Sequence, residues 1–216
     1  MLRLALAILA AAQVTPAPVA TPTPVAAPTP VATPVTVAAT VRVTITTTLG
    51  RIVLELEKAR APLTTANFLR YVDQHRLDGA TFYRTVQVQP DYGFVQFGVQ
   101  NRPGKVLPPV RHEPTTQTDV HHIDGAISLT RAAPGTGAGD FTISVGDQRF
   151  SLDAHPERPG DNLGYAAFGH VVEGMDVVRA IQDRPVAAGG HFAGEQIAQP
   201  VVIVSARRAP LAAARP

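Results

Sequence analysis

The sequence predicts a mainly β fold, a closed antiparallel barrel capped by two α-helices. Three observations predict it. Between residues 41 and 205, short apolar runs alternate with period two and are separated by turn residues. Only two stretches carry helical spacing, too few for alternating βαβ units. Long irregular loops join the runs, a pattern that suits a closed all-β fold.

The first run, VRVTITTTLGRIVLELE at 41–57, reads as two strands with a turn at Leu49-Gly50. APLTTANFLRYVDQHRLDG at 61–79 reads as a helix. Pro62 suits its first turn. Leu63, Ala66, Leu69 and Val72 form an apolar stripe, and Gly79 follows the end. Strands are expected at 81–86, 94–99, 126–131, 141–145 and 166–172. EGMDVVRAIQ at 173–182 reads as a second, short amphipathic helix, and GEQIAQPVVIVSA at 194–206 supplies a last strand.

With 216 residues and 45% hydrophobic content, the chain can build one domain with a substantial core, and a monomer is the default expectation. The formal net charge of +2 implies no strong pull toward nucleic acid. There is no cysteine, which excludes disulfides, thiol nucleophiles and thiolate metal sites.

The two ends differ from the middle. MLRLALAILAAAQ has a cation at Arg3, a short apolar stretch and small residues before Gln13. That is the layout of a secretory signal peptide, expected over 1–12, and it predicts a periplasmic or secreted protein. No run is long enough to span a bilayer, so no membrane span is expected once the signal is removed. Residues 13–40 are rich in Pro, Ala and Thr. Proline removes backbone donors and fixes φ, so this segment is expected to be a disordered, extended linker. The domain is expected over 41–205, with a flexible tail at 206–216.

Few loops carry recognisable chemistry. His112, His121, His122 and Asp124 lie near one another in the sequence, but no regular spacing aims them at one point, so a metal site is not expected. No Gly-x-Ser-x-Gly is present. GTGAG at 135–139 opens no helix and reads as a turn, not a phosphate loop. No cofactor site is evident. ATFYRTV at 80–86 is more pointed, because it sets a permanent cation, Arg84, in an apolar run. A solvent-facing strand position accounts for it in the simplest reading.

Several blocks together resemble the bacterial cyclophilin-type peptidyl-prolyl cis-trans isomerases. They are TTLGRIVLELE, APLTTANF, DGATFYR, DGAISLTRAAPGTGAGDFTIS and AAFGHVVEGMDVV, in the family's order and near its spacing. The resemblance implies an eight-stranded antiparallel barrel with a helix at each end, proline-containing polypeptides as substrates and no cofactor. It places Arg84 on the family's catalytic arginine and Gln96 on the glutamine that holds the substrate backbone. Phe94 falls on an apolar wall, Thr130 and Arg131 on the segment that pairs with the substrate as an added strand, and Leu152 on the groove edge.

Three positions depart from the family pattern. Asp140-Phe141-Thr142-Ile143 stands where Gln-Phe-Phe-Ile is usual, so Thr142 replaces the phenylalanine that floors the proline pocket. Ser151 stands at the groove tryptophan, and Tyr165 at the site histidine. About 60–80 Å2 of missing apolar floor, at about 25 cal/mol per Å2, weakens proline binding by about 1.5–2 kcal/mol. Phe97, where a glycine is usual, or Tyr165 is a candidate to refill the space. The link at 88–93 looks longer than the family's, which leaves the register of Gln96 open. Two functions follow: an isomerase assisting the folding of exported proteins, or a proline-peptide binding module with little catalysis on the same barrel.

Overall fold

A computed structural model describes residues 39–209. The expected signal peptide and nearly all of the linker lie outside them. In chain order the elements are β1 Val41–Thr47, β2 Gly50–Leu56, α1 Pro62–Asp73, β3 Thr81–Gln89, β4 Tyr92–Gly98 and α2 Thr115–Thr118. There follow β5 Ala126–Leu129, β6 Asp140–Val145, α3 Arg149–Leu152, β7 Ala166–Glu173, α4 Met175–Gln182 and β8 Gln196–Arg208. The strands close into a barrel in the order β1-β2-β7-β5-β6-β4-β3-β8, with every neighbouring pair antiparallel.

Period-two alternation fills the interior. Val43 and Ile45, Ile52 and Leu54, Val95 and Phe97, and Phe141 and Ile143 all point inward and are buried. Phe141 is the hub: its ring lies 4.9 Å from Phe68, 5.7 Å from Phe97 and 6.0 Å from Phe168. Edge-on and tilted pairs of this kind add to the burial of their area.

The helices plug opposite ends. β2 begins beside Val177 of α4, and the residue after its end, Glu57, bonds to Phe168 and receives the chain entering α1. Helix α1 buries Phe68, Leu69, Tyr71 and Val72. The expected stripe was therefore displaced: Leu63 is 37% exposed and Ala66 is exposed as well. The aromatic residues carry more apolar area and reach Phe141, so they set the buried face instead. No local side chain caps α1, whose N-cap is Ala61. Glu113, fully buried, does so from a distance. Its carboxylate accepts from Leu63 N at 3.1 Å, Thr64 N at 2.7 Å and Thr64 Oγ1 at 2.7 Å.

Three further expectations are revised. Residues 88–93 are no long loop: β3 and β4 run on and meet in a two-residue turn at Pro90-Asp91, which fixes Arg84 opposite Gln96. The last strand continues beyond residue 205 to Arg208. Arg207 pairs with Asp78 at 2.7 Å and Arg208 with Asp73 at 2.6 Å, so residues 206–208 continue β8. The single-turn helices α2 and α3 were not foreseen, because four residues carry no readable period.

Candidate active site

Strict alternation along β3 would put Arg84 on the same face as Phe82, which is fully buried. A bulge between Phe82 and Arg84 prevents this, inserting Tyr83 as an extra residue against β4. Bulges re-aim side chains. Here the bulge turns Arg84 to the outer face while Thr85 goes inward and bonds to Gln182 O at 3.1 Å. Across the neighbouring strands Arg84 pairs with Gln96, Gln96 with Thr142 and Thr142 with Ser128. This transverse row forms the bed of a groove.

A notch of about 60 Å3 opens on the row, lined by Arg84, Phe94, Gln96, Thr130, Thr142, Leu152 and Tyr165. Arg131 and Asp140, the other two residues singled out from the sequence, line an adjoining cavity of about 730 Å3. That cavity shares Arg84, Gln96, Thr130 and Tyr165 with the notch.

A directed hydrogen-bond chain sets the polar side. Arg84 Nη1 donates to Gln96 Oε1 at 3.0 Å, Gln96 Nε2 to Tyr83 OH at 2.7 Å, and Tyr83 OH to Asp140 Oδ1 at 3.2 Å. Each bond fixes the next, so the Gln96 amide has one orientation. Burial, then the charge of Asp140, pushes the Tyr83 phenol far above its usual range, so it stays a donor. Burial likewise raises the Asp140 carboxyl, against the Gln100 N–H that bonds to it at 2.9 Å. Asp140 thus anchors the chain. Gly98 makes room for this: a Cβ there, at φ +147, would lie 2.3 Å from Gly139 O and 2.5 Å from Asp140 Oδ1.

Arg131 is engaged within the protein. Its guanidinium grips Asp161 at 2.6 and 2.9 Å, donates to Gly164 O at 2.9 Å and lies over the Tyr165 ring at 5.3 Å. With its side chain only 6% exposed, it braces the segment that carries Tyr165. Thr142 Oγ1 and Ser128 Oγ lie 2.8 Å apart, so the bed of the notch is a hydroxyl pair. Phe97 does not refill the floor. It lies inside the barrel, 4.7 Å from Phe82.

Two site residues were not read from the sequence. Glu195 Oε2 lies 2.8 Å from Arg84 Nε and 2.6 Å from Nη2. The Phe192 ring is 4.5 Å from the guanidinium carbon, and the Phe94 ring 5.3 Å. Both new residues come from GGHFAGEQ, the approach to β8, which carries no motif to point at Arg84.

His121 and His122 are engaged elsewhere. His121 Nδ1 and His122 Nδ1 lie 2.6 and 2.7 Å from the two oxygens of Asp153, and the bond to Asp153 raises the His121 pKa. Asp124 pairs with Arg179 at 2.9 Å. Among the described residues, no group of three or more His, Cys, Asp or Glu side chains is placed to hold a metal ion.

The profile of the family described as cyclophilin type peptidyl-prolyl cis-trans isomerase/CLD matches residues 42–208. The chain belongs to this family. The cyclophilin domain is 35% identical over 167 residues to "Peptidyl-prolyl cis-trans isomerase cyp18" of Streptomyces antibioticus, covering 76% of this chain and 95% of that protein. It is 32% identical to "Peptidyl-prolyl cis-trans isomerase A" of Dickeya dadantii, covering 76% and 82%. A crystal structure of a Cryptosporidium parvum cyclophilin type isomerase shares the fold with a TM-score of 0.61 at 16% identity, over 80% of this chain and 99% of that one. Rotation about the bond preceding proline is accordingly the reaction of this cyclophilin.

Proposed function

We propose that Arg84 and Gln96 are the catalytic pair of this isomerase and that the notch beside them takes the proline ring. The carrying observation is the position of the guanidinium: it stands at the rim of the notch, beside the apolar walls of Phe94, Leu152 and Tyr165. The amide barrier of about 18–20 kcal/mol comes from resonance between nitrogen and carbonyl. Before proline the two isomers differ by only about 0.5–1 kcal/mol, so rate is the whole problem. No bond breaks, and neither nucleophile nor cofactor enters. When the bond twists, the prolyl nitrogen regains its lone pair. A donor aimed at that lone pair favours the twisted form over either planar one, which is what accelerates the step. Arginine suits the task because its planar fork keeps direction and its proton.

Gln96 holds the fork on one side and lines the notch on the other. Thr130, just past the end of β5, offers an edge along which an extended polypeptide can align. Phe94, Leu152 and Tyr165 supply the apolar contact. Asp140 and Arg131 line the cavity next door, where residues flanking the proline lie. Proline-containing polypeptides are the partners this groove suits.

The hydroxyl bed makes proline binding weak. Replacing both hydroxyl partners by apolar groups of similar shape removes a polar pair without leaving either member unsatisfied. The double variant Ser128→Ala/Thr142→Val is therefore expected to lower KM for an Ala-Pro peptide about fivefold, about 1 kcal/mol, with kcat unchanged. An unchanged KM in a protease-coupled assay would place the proline ring elsewhere.

The chain's first residues support export as the setting. A cation, a short apolar stretch and small residues precede a Pro-rich segment in the sequence. Among the described residues, no helix is long and apolar enough to cross a membrane. We read the protein as an isomerase that assists the folding of exported polypeptides in the periplasm or outside the cell. N-terminal sequencing of the mature protein is expected to begin at Gln13; an intact Met1 in the exported fraction would refute the cleavage.

A further inference from the structure

We propose that Glu195 is a positioning residue, fixing the Arg84 fork in the one orientation that reaches the twisted amide. The proposal rests on the reading of Arg84 as the donor.

Glu195 is not a loosely tethered side chain. Its carbonyl accepts from Thr85 N at 2.8 Å, its N–H donates to Phe192 O at 2.9 Å, and the next residue, Gln196, donates to Phe192 O at 2.7 Å. Against β3, the register of β8 jumps from Val201 opposite Phe82 to Gln196 opposite Arg84. That jump leaves residues 197–200 of β8 opposite the single residue Tyr83. The bulge against β4 turns Arg84 outward, and the extra β8 residues set Glu195 at its flank.

Each guanidinium nitrogen then has a fixed acceptor. Nε and Nη2 face Glu195 Oε2 at 2.8 and 2.6 Å, and Nη1 faces Gln96 Oε1 at 3.0 Å. The two acceptors come from opposite sides, β4 and the start of β8. Phe192 covers the guanidinium at 4.5 Å, which blocks tilting. A side chain held this way has no rotamer freedom left to lose when the amide twists.

Such a pair could instead compete with the substrate for the fork. The donor arithmetic decides against it. A guanidinium has five N–H groups. Glu195 takes the edge formed by Nε and Nη2, and Gln96 takes one hydrogen of Nη1. One N–H remains on each terminal nitrogen, on a side chain still 24% exposed. The pair directs the fork and leaves its working end available.

The test uses the full chain. In Glu195→Ala, kcat on an Ala-Pro peptide is expected to fall about tenfold with KM within about twofold, since orientation and not binding is lost. Glu195→Gln keeps an acceptor without the charge and is expected to fall about threefold. In the NMR spectrum, the Arg84 Nε–H is expected to exchange slowly with water in the wild type and fast in both variants. Glu195→Ala made in an Arg84→Ala chain is expected to add no further loss. A kcat that is unchanged or raised overturns the proposal, as does an equal loss in the Arg84→Ala chain. If Glu195→Ala does not fold, the Nε–H exchange of Glu195→Gln gives the answer: faster supports the proposal, unchanged overturns it. Loss of activity in Arg84→Ala alone tests the donor reading independently.

Discussion

Arg84→Ala is expected to lower kcat/KM for a short Ala-Pro peptide by two to three orders of magnitude, about 3–4 kcal/mol of transition-state stabilisation. The loss should appear in kcat, because the notch that takes the proline keeps its other walls. The reason is differential binding. In the planar substrate the prolyl nitrogen has no free lone pair, so the guanidinium gains nothing there. In the twisted form it gains a charge-assisted hydrogen bond beside apolar walls. Arg84→Lys is expected to recover only a minor part. An ammonium keeps the charge but not the fork, and it cannot hold Gln96 and Glu195 in the same geometry. Stability should change little, since the pair with Glu195 is partly exposed. A protease-coupled assay measures this directly. Retention of more than a third of wild-type kcat/KM in Arg84→Ala would remove Arg84 from the mechanism.

Glu113→Ala is expected to destabilise the fold by about 3 kcal/mol, lowering the thermal midpoint by about 6–12 °C. The fully buried carboxylate accepts two backbone N–H groups and a hydroxyl at the first turn of α1. Alanine leaves all three without an acceptor in a site closed to water, and removes a negative charge from the positive end of a helix. Glu113→Gln keeps an acceptor oxygen but turns a donor toward donors, so an intermediate loss is expected. Calorimetry of the three proteins checks the order. A midpoint within about 2 °C of wild type for the alanine variant would show that the loop refolds to cap α1 by another route. Because α1 carries Phe68 against Phe141, whose neighbour Thr142 beds the notch, the damage should also reach the groove.

Much of the site was legible before the structure. Seven of the residues singled out from the sequence surround one notch, and Arg131 and Asp140 border the cavity beside it. Their legibility came from order and spacing in contiguous blocks, such as DGATFYR and SLTRAAP, that ride on single strands. Where a residue's role depends on which way its strand faces, the reading was less secure. Phe97 was a candidate to refill the proline pocket, yet β4 points it inward while Phe94 and Gln96 point out. Arg131 borders the cavity, and its guanidinium holds Asp161, a partner the sequence does not point to. In α1, counting aliphatic residues put Leu63 and Ala66 on the buried face; the aromatic pair Phe68 and Tyr71 overruled them.

The chain alone determined that alternating apolar runs, punctuated by turns and only two longer helices, would close as a barrel, and which blocks would carry the chemistry. Those are local properties, because period and turn residues act over a few positions. Tertiary structure alone decided that Glu195 would hold Arg84 from 111 residues away and that Glu113 would cap a helix from 49 residues away. Neither pairing has a local signature, because each exists only once the closed barrel brings β8 beside β3 and packs the loop containing Glu113 against the start of α1.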